Sequence, residues 1–385
     1  MFVVAAQNAV AYQWTRDGTP IVGATDATYL TPEVQAEDAG AQYAVVVDGA
    51  SGSTHSNAAA LHLSADTTGA PPPAFWGDIA GLLVAGKAMT VAFLNRTNGA
   101  YPDGQIFWQL RGKSDTGETI DEFHSIADRP TFDSPGIKSS RMFFYIAPTA
   151  SAATRGSKSY HDFIEYDLAR SKTTQKWKFN GDTTRVDAFG LKLAIRLQCA
   201  DGTDLARGED YGTFLEDRDV TFRKYAADAP MPYGATATQQ APYRILEPGA
   251  TANFMAGGAN STYWNTYVDQ VWAANGIDPA IVPKPTGYLK FKDGSHPSLI
   301  AALTRHVAEQ PGTFKSDGTL VNPRFWSTVP DSAFYTAAPA NFYARFWHEH
   351  SIAGKAYGFS YDDVGEHSSD IGCESPQRLI VAIGW

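Results

Sequence analysis

Glu165 and Asp167 stand two residues apart in His161-Asp-Phe-Ile-Glu165-Tyr-Asp167-Leu. Period-two alternation puts Ile164, Tyr166 and Leu168 on one face of a strand, and Phe163, Glu165 and Asp167 on the other. With the first face in a core, both acids project into a groove beside an aromatic ring. A further acid, Asp187, lies in Thr184-Arg-Val-Asp187-Ala-Phe-Gly190, ahead of an alternating run at Leu191, Leu193, Ile195 and Leu197. Asp182 is the nearest other carboxylate. Asp362 and Asp363 are adjacent at the end of the aromatic stretch Lys355-Ala-Tyr-Gly-Phe-Ser-Tyr-Asp-Asp363. Carboxyl pairs that differ in protonation do acid–base work, and cleavage of a glycosidic bond needs one of each kind across it. Aromatic faces supply the flat apolar surface that holds a sugar ring. Taken singly, each acid is ordinary: Asp is common in turns, and exposed strand faces carry solvated acids.

Four segments give these acids a common context. The Asp362-Asp363 stretch resembles the closing signature of glycoside hydrolase family 64, the bacterial β-1,3-glucanases of the thaumatin-like superfamily. It also resembles the Tyr-x-x-Asp-Asp-Pro segment of plant thaumatin-like proteins. Ser140-Arg141-Met-Phe-Phe144 is similar to the family's Gly-Arg-aromatic strand, and Phe163-Ile-Glu165-Tyr to its Ala-Glu-aromatic strand. Val186-Asp187-Ala-Phe-Gly-Leu-Lys192 is similar in part to its Val-Asp-Gly-Phe-Asn-Leu-Pro strand, with Lys192 where the family has Pro. The four occur in the family's order, and the resemblance spans about residues 76 to 385.

The resemblance implies an acidic cleft that hydrolyses β-1,3-glucan (curdlan, laminarin, fungal cell-wall glucan) by an inverting single displacement. Glu165 is then the general acid and Asp187 the general base, with carboxyls ~6.5–9.5 Å apart to admit a water. Arg141, Asp167, Asp362 and Asp363 are expected to contact substrate, with Arg141 paired to Asp362 or Asp363. Trp177, read as lying in a polar loop between the two carboxylate strands, is expected as a sugar-stacking residue. No cofactor or metal is implied, and the chain is expected to be a monomer. The rival is a non-catalytic thaumatin-like β-glucan-binding or antifungal protein with the same cleft. His348 and His350 flank Glu349, but residues two apart on a helix face different ways and do not share an ion easily. Asp362-Asp363-x-x-Glu366-His367 lacks the ligand spacing of an EF-hand loop.

The elements that must hold these groups are mostly strands. The chain has 385 residues, enough for two or three domains, with 43% hydrophobic and only 19% charged residues and a net charge of −10. No basic cluster stands out, so neither nucleic acid nor an anionic membrane is an expected partner. No apolar run reaches the length of a membrane span. Met1-Phe-Val-Val lacks the basic start of a signal peptide and runs directly into a strand pattern, so Met1 is read as an internal or truncated start of a secreted protein. Two cysteines, Cys199 and Cys373, form either one disulfide or two buried thiols.

Residues 1–64 resemble a partial bacterial immunoglobulin-like domain. Trp14 precedes an Asp17-Gly18 turn, Asp38-Ala-Gly-Ala-Gln-Tyr43 reads as a tyrosine corner, and Ser56 to Leu63 reads as the last strand. Valines near Val3 and at Val45 stand at the usual cysteine positions. Residues 65–74, with Pro71 to Pro73, read as a stiff linker. The main body, 75–385, opens with strands at Met89–Asn95, Gln105–Leu110, Arg141–Ile146, Asp162–Leu168 and Leu191–Leu197. Helical spacing follows at 264–272, with Ser261 as N-cap and Gly276 as stop, then at 299–307 and 342–350. Strands return at Tyr357–Tyr361 and Arg378–Ile383. The expected fold is mainly β: a thaumatin-like sandwich or barrel with a mixed α/β insertion at about 205–350, plus the partial immunoglobulin-like sandwich.

Overall fold

Apolar residues at every second position need a partner layer, and the strands of this chain find one in each other. The computed structural model describes residues 2–4, 6, 8–32, 38, 40–50, 52–61, 68–82, 88–114, 116–285, 287–289 and 294–385. The chain divides into two compact units, Met1–Thr67 and Thr68–Trp385.

In the first unit β1 (Phe2–Val3) pairs with β4 (Thr28–Tyr29). A second sheet runs in the order β3 (Thr19–Pro20), β2 (Ala9–Arg16), β5 (Gln42–Gly49), β6 (Gly52–His55), with β7 (Ala59–Ala60) also on β5. Trp14, Ala24 and Val45 form its small core, and Phe2 stacks on Tyr43 with ring centroids 4.4 Å apart. The side chain of Val3 and residues 62–67, which include Leu63 and the start of the expected linker, lie outside the described residues. Residues 68–74 belong to the second unit. The Thr68 carbonyl accepts from the Ala353 amide and the Gly69 carbonyl from Tyr211, while Ala70, Phe75 and Trp76 share one apolar cluster.

The second unit is a two-sheet sandwich. One sheet has six strands in the order β10 (Thr119–Ser125), β9 (Ile106–Ser114), β12 (Ile137–Ile146), β13 (Tyr160–Arg170), β14 (Trp177–Thr183), β19 (Ile371–Glu374). The other has five, in the order β11 (Thr131–Ser134), β8 (Met89–Arg96), β20 (Pro376–Gly384), β16 (Lys192–Cys199), β17 (Asp204–Gly208). Among these strands, all pairings are antiparallel except β20 with β8. Alternation decides the core: Trp108 and Leu110, Met142 and Phe144, Ile164 and Tyr166 face Val91, Leu193, Ile195 and Val381. The opposite face of the six-stranded sheet is left to carry polar residues. The short strands β15 (Ala188–Phe189) and β18 (Ile245–Leu246) pair with each other.

Between β17 and β19 the chain builds a helical layer: α1 (Tyr211–Leu215), α2 (Arg218–Asp228), α3 (Asn265–Asn275), α4 (Pro297–Thr304), α5 (Phe325–Thr328) and α6 (Phe342–Glu349). The periodic apolar residues of α3 and α4 meet in one cluster, and α6 buries Phe342, Tyr343, Phe346 and Trp347 in another. Gly276 ends α3 in the left-handed conformation expected of it (φ 62°), but Trp264 rather than Ser261 stands at its N-cap. Residues 357–361 are not a strand. Tyr357 makes an isolated bridge to Thr184, and the chain then turns. Gly358 lies so close to α6 that a Cβ there would sit 2.8 Å from the Ala344 backbone, so helix contact replaces strand pairing. Among the described residues no helix is long and apolar enough to cross a membrane.

Cys199 and Cys373 form a disulfide, closing a separation of 174 residues. It ties β16 of one sheet to β19, the edge strand of the other. Chain-entropy reasoning puts the stabilisation of so long a loop at up to ~5 kcal/mol. Cys373→Ser is expected to lower the free energy of urea unfolding by about 2–5 kcal/mol; an unchanged midpoint and slope would show the bond to be dispensable.

Candidate active site

The outward face of the six-stranded sheet carries a line of charge set by strand register. Asp121 on β10 is opposite Arg111 on β9, Arg111 is opposite Arg141 on β12, and Arg141 is opposite Glu165 on β13. Glu165 is in turn opposite Asp182 on β14. The pairing Gly181↔Ile371 between β14 and β19 brings Asp370 to the end of the same line. A bulge in β12 around Ser139 (φ 49°) sets this alignment, and the Asp167 carboxylate accepts the Ser139 amide at 2.5 Å. Asp167 thus pins the bulge that brings Arg141 opposite Glu165. Gly181 lets β14 lie tight against β13, since a Cβ there would sit 2.7 Å from the Glu165 carbonyl oxygen.

These residues line an open groove of about 760 Å³ whose walls include Arg111, Arg141, Glu165, Asp167 and Asp182. Arg141 Nε donates to Glu165 Oε1 at 2.6 Å, and its guanidinium lies 4.7 Å over the Phe163 ring. Glu165 therefore leans toward β12, away from Asp182. Asp182 is 8% exposed, and its Oδ1 has no hydrogen-bond partner. Burial pushes its carboxyl well above the ordinary Asp range; the charges of Asp370, Glu165 and Asp363 push the same way, against Arg141. Burial also raises the Asp370 carboxyl, with Asp363 adding to it. The phenol of Tyr357 is raised by burial and then by Asp363, Asp182 and Asp370, so this side chain shares their surroundings. The groove thus holds a carboxyl that keeps its proton beside one held by an arginine.

The groove brings together part of the expected set and leaves out the rest. Glu165, Asp167 and Arg141 stand where strand alternation and the resemblance place them. Asp363 is exposed and lies outside the groove lining, although its charge acts on the Asp182 carboxyl. Arg141 pairs with Glu165 rather than with Asp362 or Asp363, because register puts those two side chains face to face.

Asp362 is fully buried and is not on the groove. Its Oδ1 takes Arg305 at 2.9 Å; its Oδ2 takes His348 Nε2 at 2.9 Å and the Gly358 amide at 2.8 Å. Burial alone would raise this carboxyl, but His348 and Arg305 hold it below the usual range. It locks the 358–364 turn to α4 and α6.

Trp177 is no loop residue. It opens β14 opposite Arg170, whose guanidinium lies 4.5 Å over its ring. It shares the side of Phe179 and packs against the sandwich core, five residues or ~17 Å along the strand from Asp182.

Asp187 is exposed and lies outside the groove lining. After Thr183 the chain leaves the sheet: Arg185 is buried, the Asp187 carbonyl accepts from the Glu247 amide at 3.1 Å, and Ala188 joins β15. The charge of Asp187 acts on the buried Glu247, whose carboxyl is raised to about 8, chiefly by burial.

Asp182 was legible from the alternation Lys178, Asn180, Asp182 against Phe179 once β14 is known to start at Trp177. No local pattern marks Asp370, which arrives through strand pairing alone.

Comparison with known proteins gives this geometry a context. Residues 141–288 and 290–383 match the family model for Beta-1,3-glucanase of glycoside hydrolase family 64. A glucan endo-1,3-β-glucosidase from Cellulosimicrobium cellulans is 35% identical over 89 residues, which is 22% of this chain and 14% of that protein. One from Arthrobacter sp. (strain YCWD3) matches to the same extent. The match thus spans about a seventh of the length of these curated relatives. The fold resembles the crystal structure of the family 64 laminaripentaose-producing β-1,3-glucanase from Paenibacillus barengoltzii, with a TM-score of 0.64 at 24% identity over 99% of this chain and 95% of that one. It also resembles a family 64 β-1,3-glucanase domain from Clostridium beijerinckii, with a TM-score of 0.62 at 20% identity over 79% of this chain and 100% of that one.

Proposed function

The chain belongs to glycoside hydrolase family 64, the β-1,3-glucanases matched over most of its second unit, and from that membership we propose that it hydrolyses β-1,3-glucan in the groove on the six-stranded sheet. The observation that carries the reading is the cross-strand pair Glu165 and Asp182, with Asp182 buried and lacking a partner on one oxygen. A protein that only bound glucan would gain nothing from a buried, unsatisfied acid, which costs stability. The non-catalytic alternative is the weaker reading for that reason.

Glu165 and Asp182 form the acid–base couple. Burial raises the Asp182 carboxyl well above the ordinary Asp range, so Asp182 is the group that retains a proton. Arg141 holds the Glu165 side chain by a 2.6 Å hydrogen bond. The resemblance makes Glu165 the general acid and the aspartate the base, so the proton must cross the pair before the bond is cut. Antiparallel partners have Cβ atoms only ~5 Å apart. The lean of Glu165 toward Arg141 opens the gap on the side of Asp182, where a water can stand under the sugar. That favours inversion, in which Asp182 takes a proton from water as Glu165 protonates the leaving oxygen. Proton NMR during the first minutes of laminarin cleavage is expected to show the α-anomer as first product. A β-anomer would mean that one carboxylate attacks carbon directly. An aryl leaving group that needs no protonation is expected to restore turnover to Glu165→Gln but not to Asp182→Asn; the reverse pattern would exchange the two roles.

The same reading covers the rest of the chain. The second unit is a thaumatin-like sandwich carrying a helical insertion. Residues 1–64 are an immunoglobulin-like module, and the protein acts outside the cell as a monomer. The buried Trp14 and Val45 of the first unit support the immunoglobulin-like assignment, and the disulfide supports an oxidising compartment.

A further inference from the structure

The groove is acidic at one end only. Its lining also includes Arg111, Lys113, Arg141 and Arg155. Arg111 and Arg141 are direct cross-strand partners, and so are Lys113 and Lys138 one step along the same strands. Like charges placed opposite each other destabilise a sheet. β9 and β12 are interior strands, so these cations do not protect an edge from pairing. Asp121 meets Arg111 at 3.2 Å and Glu165 meets Arg141 at 2.6 Å. Among the described residues Lys113, Lys138 and Arg155 have no ion-pair partner.

Two of the guanidinium groups are held in place by rings. Arg155 lies 4.5 Å over Phe143, and Arg141 lies 4.7 Å over Phe163. Phe143 and Phe163 are themselves cross-strand partners, with ring centroids 5.3 Å apart. This ring pair thus sets two guanidinium groups on the same face of the sheet. An anion fits such an array, because guanidinium groups bind planar carboxylates with two parallel bonds.

We propose that the β9–β12 end of the groove, formed by Arg111, Lys113, Arg141 and Arg155, is a subsite for a carboxylate carried by the glucan chain, so that the enzyme takes β-1,3-glucan bearing uronate sugars. Arg111 stands two strand spacings, ~10 Å, from Glu165. The carboxylate therefore sits on a sugar beyond the one being cut, clear of Asp182 and Asp370.

The inference rests on the reading of the groove as the glucan site, and the test separates the two. Binding is measured by calorimetry with Asp182→Asn, which keeps the Arg141–Glu165 pair. The probes are laminarin, laminarin oxidised to the carboxylate at a fraction of its C6 positions, and laminarin sulfated at those positions. Oxidised laminarin is expected to bind about tenfold tighter than laminarin at low salt. The advantage should vanish at about 1 M salt, where the screening length is ~3 Å, and in a variant that adds Arg155→Gln and Lys113→Gln. Equal or weaker binding of the oxidised chain overturns the subsite, while binding of plain laminarin in the same experiment leaves the glucan reading standing. If the sulfated chain binds as tightly as the oxidised one, the site takes anions at large and the carboxylate assignment fails. If no probe binds, both readings fall.

Discussion

Asp182→Asn is expected to lower turnover of laminarin by ~10³–10⁴-fold, and Glu165→Gln by a similar factor, because each removes one half of an acid–base couple. Asp187→Asn is expected to stay within a few-fold of the parent. A reducing-sugar assay on the three purified variants reads the difference. Residual activity near that of the parent in Asp182→Asn, with loss in Asp187→Asn, would return the base to the position that the motif alone suggests.

Folding is the control. In the native state the Asp182 carboxyl keeps its proton through a pH window in which the unfolded chain, with an ordinary Asp, has already lost it. The folded form then binds more protons, so this residue makes stability fall as pH rises from the unfolded value to the raised native one. Asn cannot lose a proton, so the variant should be at least as stable as the parent above that window. An inactive variant that is also less stable at neutral pH would point to a structural role for Asp182.

The second large effect concerns the segment that follows β14. Arg185 is 2% exposed. It donates to Asp162 at 2.9 Å, to Glu209 at 2.8 Å through Nε, and to the carbonyls of Thr184 and Leu191. Asp162 also accepts the amides of Gly190 and Leu191, and Glu209 accepts that of Leu193. One buried cation thus fastens β13 and the start of β16 to the stretch in which the chain leaves the sheet after Asp182. Arg185→Met leaves two carboxylates buried without a cation, and burial already pushes Glu209 upward. The expected loss is ~3–5 kcal/mol in urea unfolding. Adding Asp162→Asn and Glu209→Gln should recover part of it, since the uncompensated charge goes. A loss that the added changes do not touch would assign the cost to packing against Phe189 and Trp347, over which the guanidinium lies at 5.4 and 5.8 Å.

Sequence alone determined which way the strands face. In β13 the alternation of Ile164, Tyr166 and Leu168 with Phe163, Glu165 and Asp167 is a local property of the chain; Ile164, Tyr166 and Leu168 are buried in the core, Glu165 and Asp167 are not buried, and Phe163 is buried in a separate cluster with Phe143. The same holds for Leu193, Ile195 and Leu197 in β16, and for the apolar stripes of α3 and α6. The four motif segments were enough to suggest the family to which residues 141–383 are matched. What remained for tertiary structure is what depends on register and on distant partners. Whether Glu165 meets Asp182 or Asp187 depends on where β14 begins, and whether it meets Arg141 depends on the bulge at Ser139; neither is visible in a two-residue period. Asp362 and Asp363 are neighbours in sequence, yet one is locked under Arg305 and His348 while the other is exposed, because Arg305 caps α4 and His348 lies on α6. Cys199 and Cys373 meet across 174 residues because two sheets stack. Arg111 and Arg155 joined the groove only when β9 paired with β12 and the chain beyond β12 laid Arg155 on Phe143. Side-chain direction is set residue by residue, whereas pairing between strands is set by the whole core, so only the folded chain decides which charges face each other.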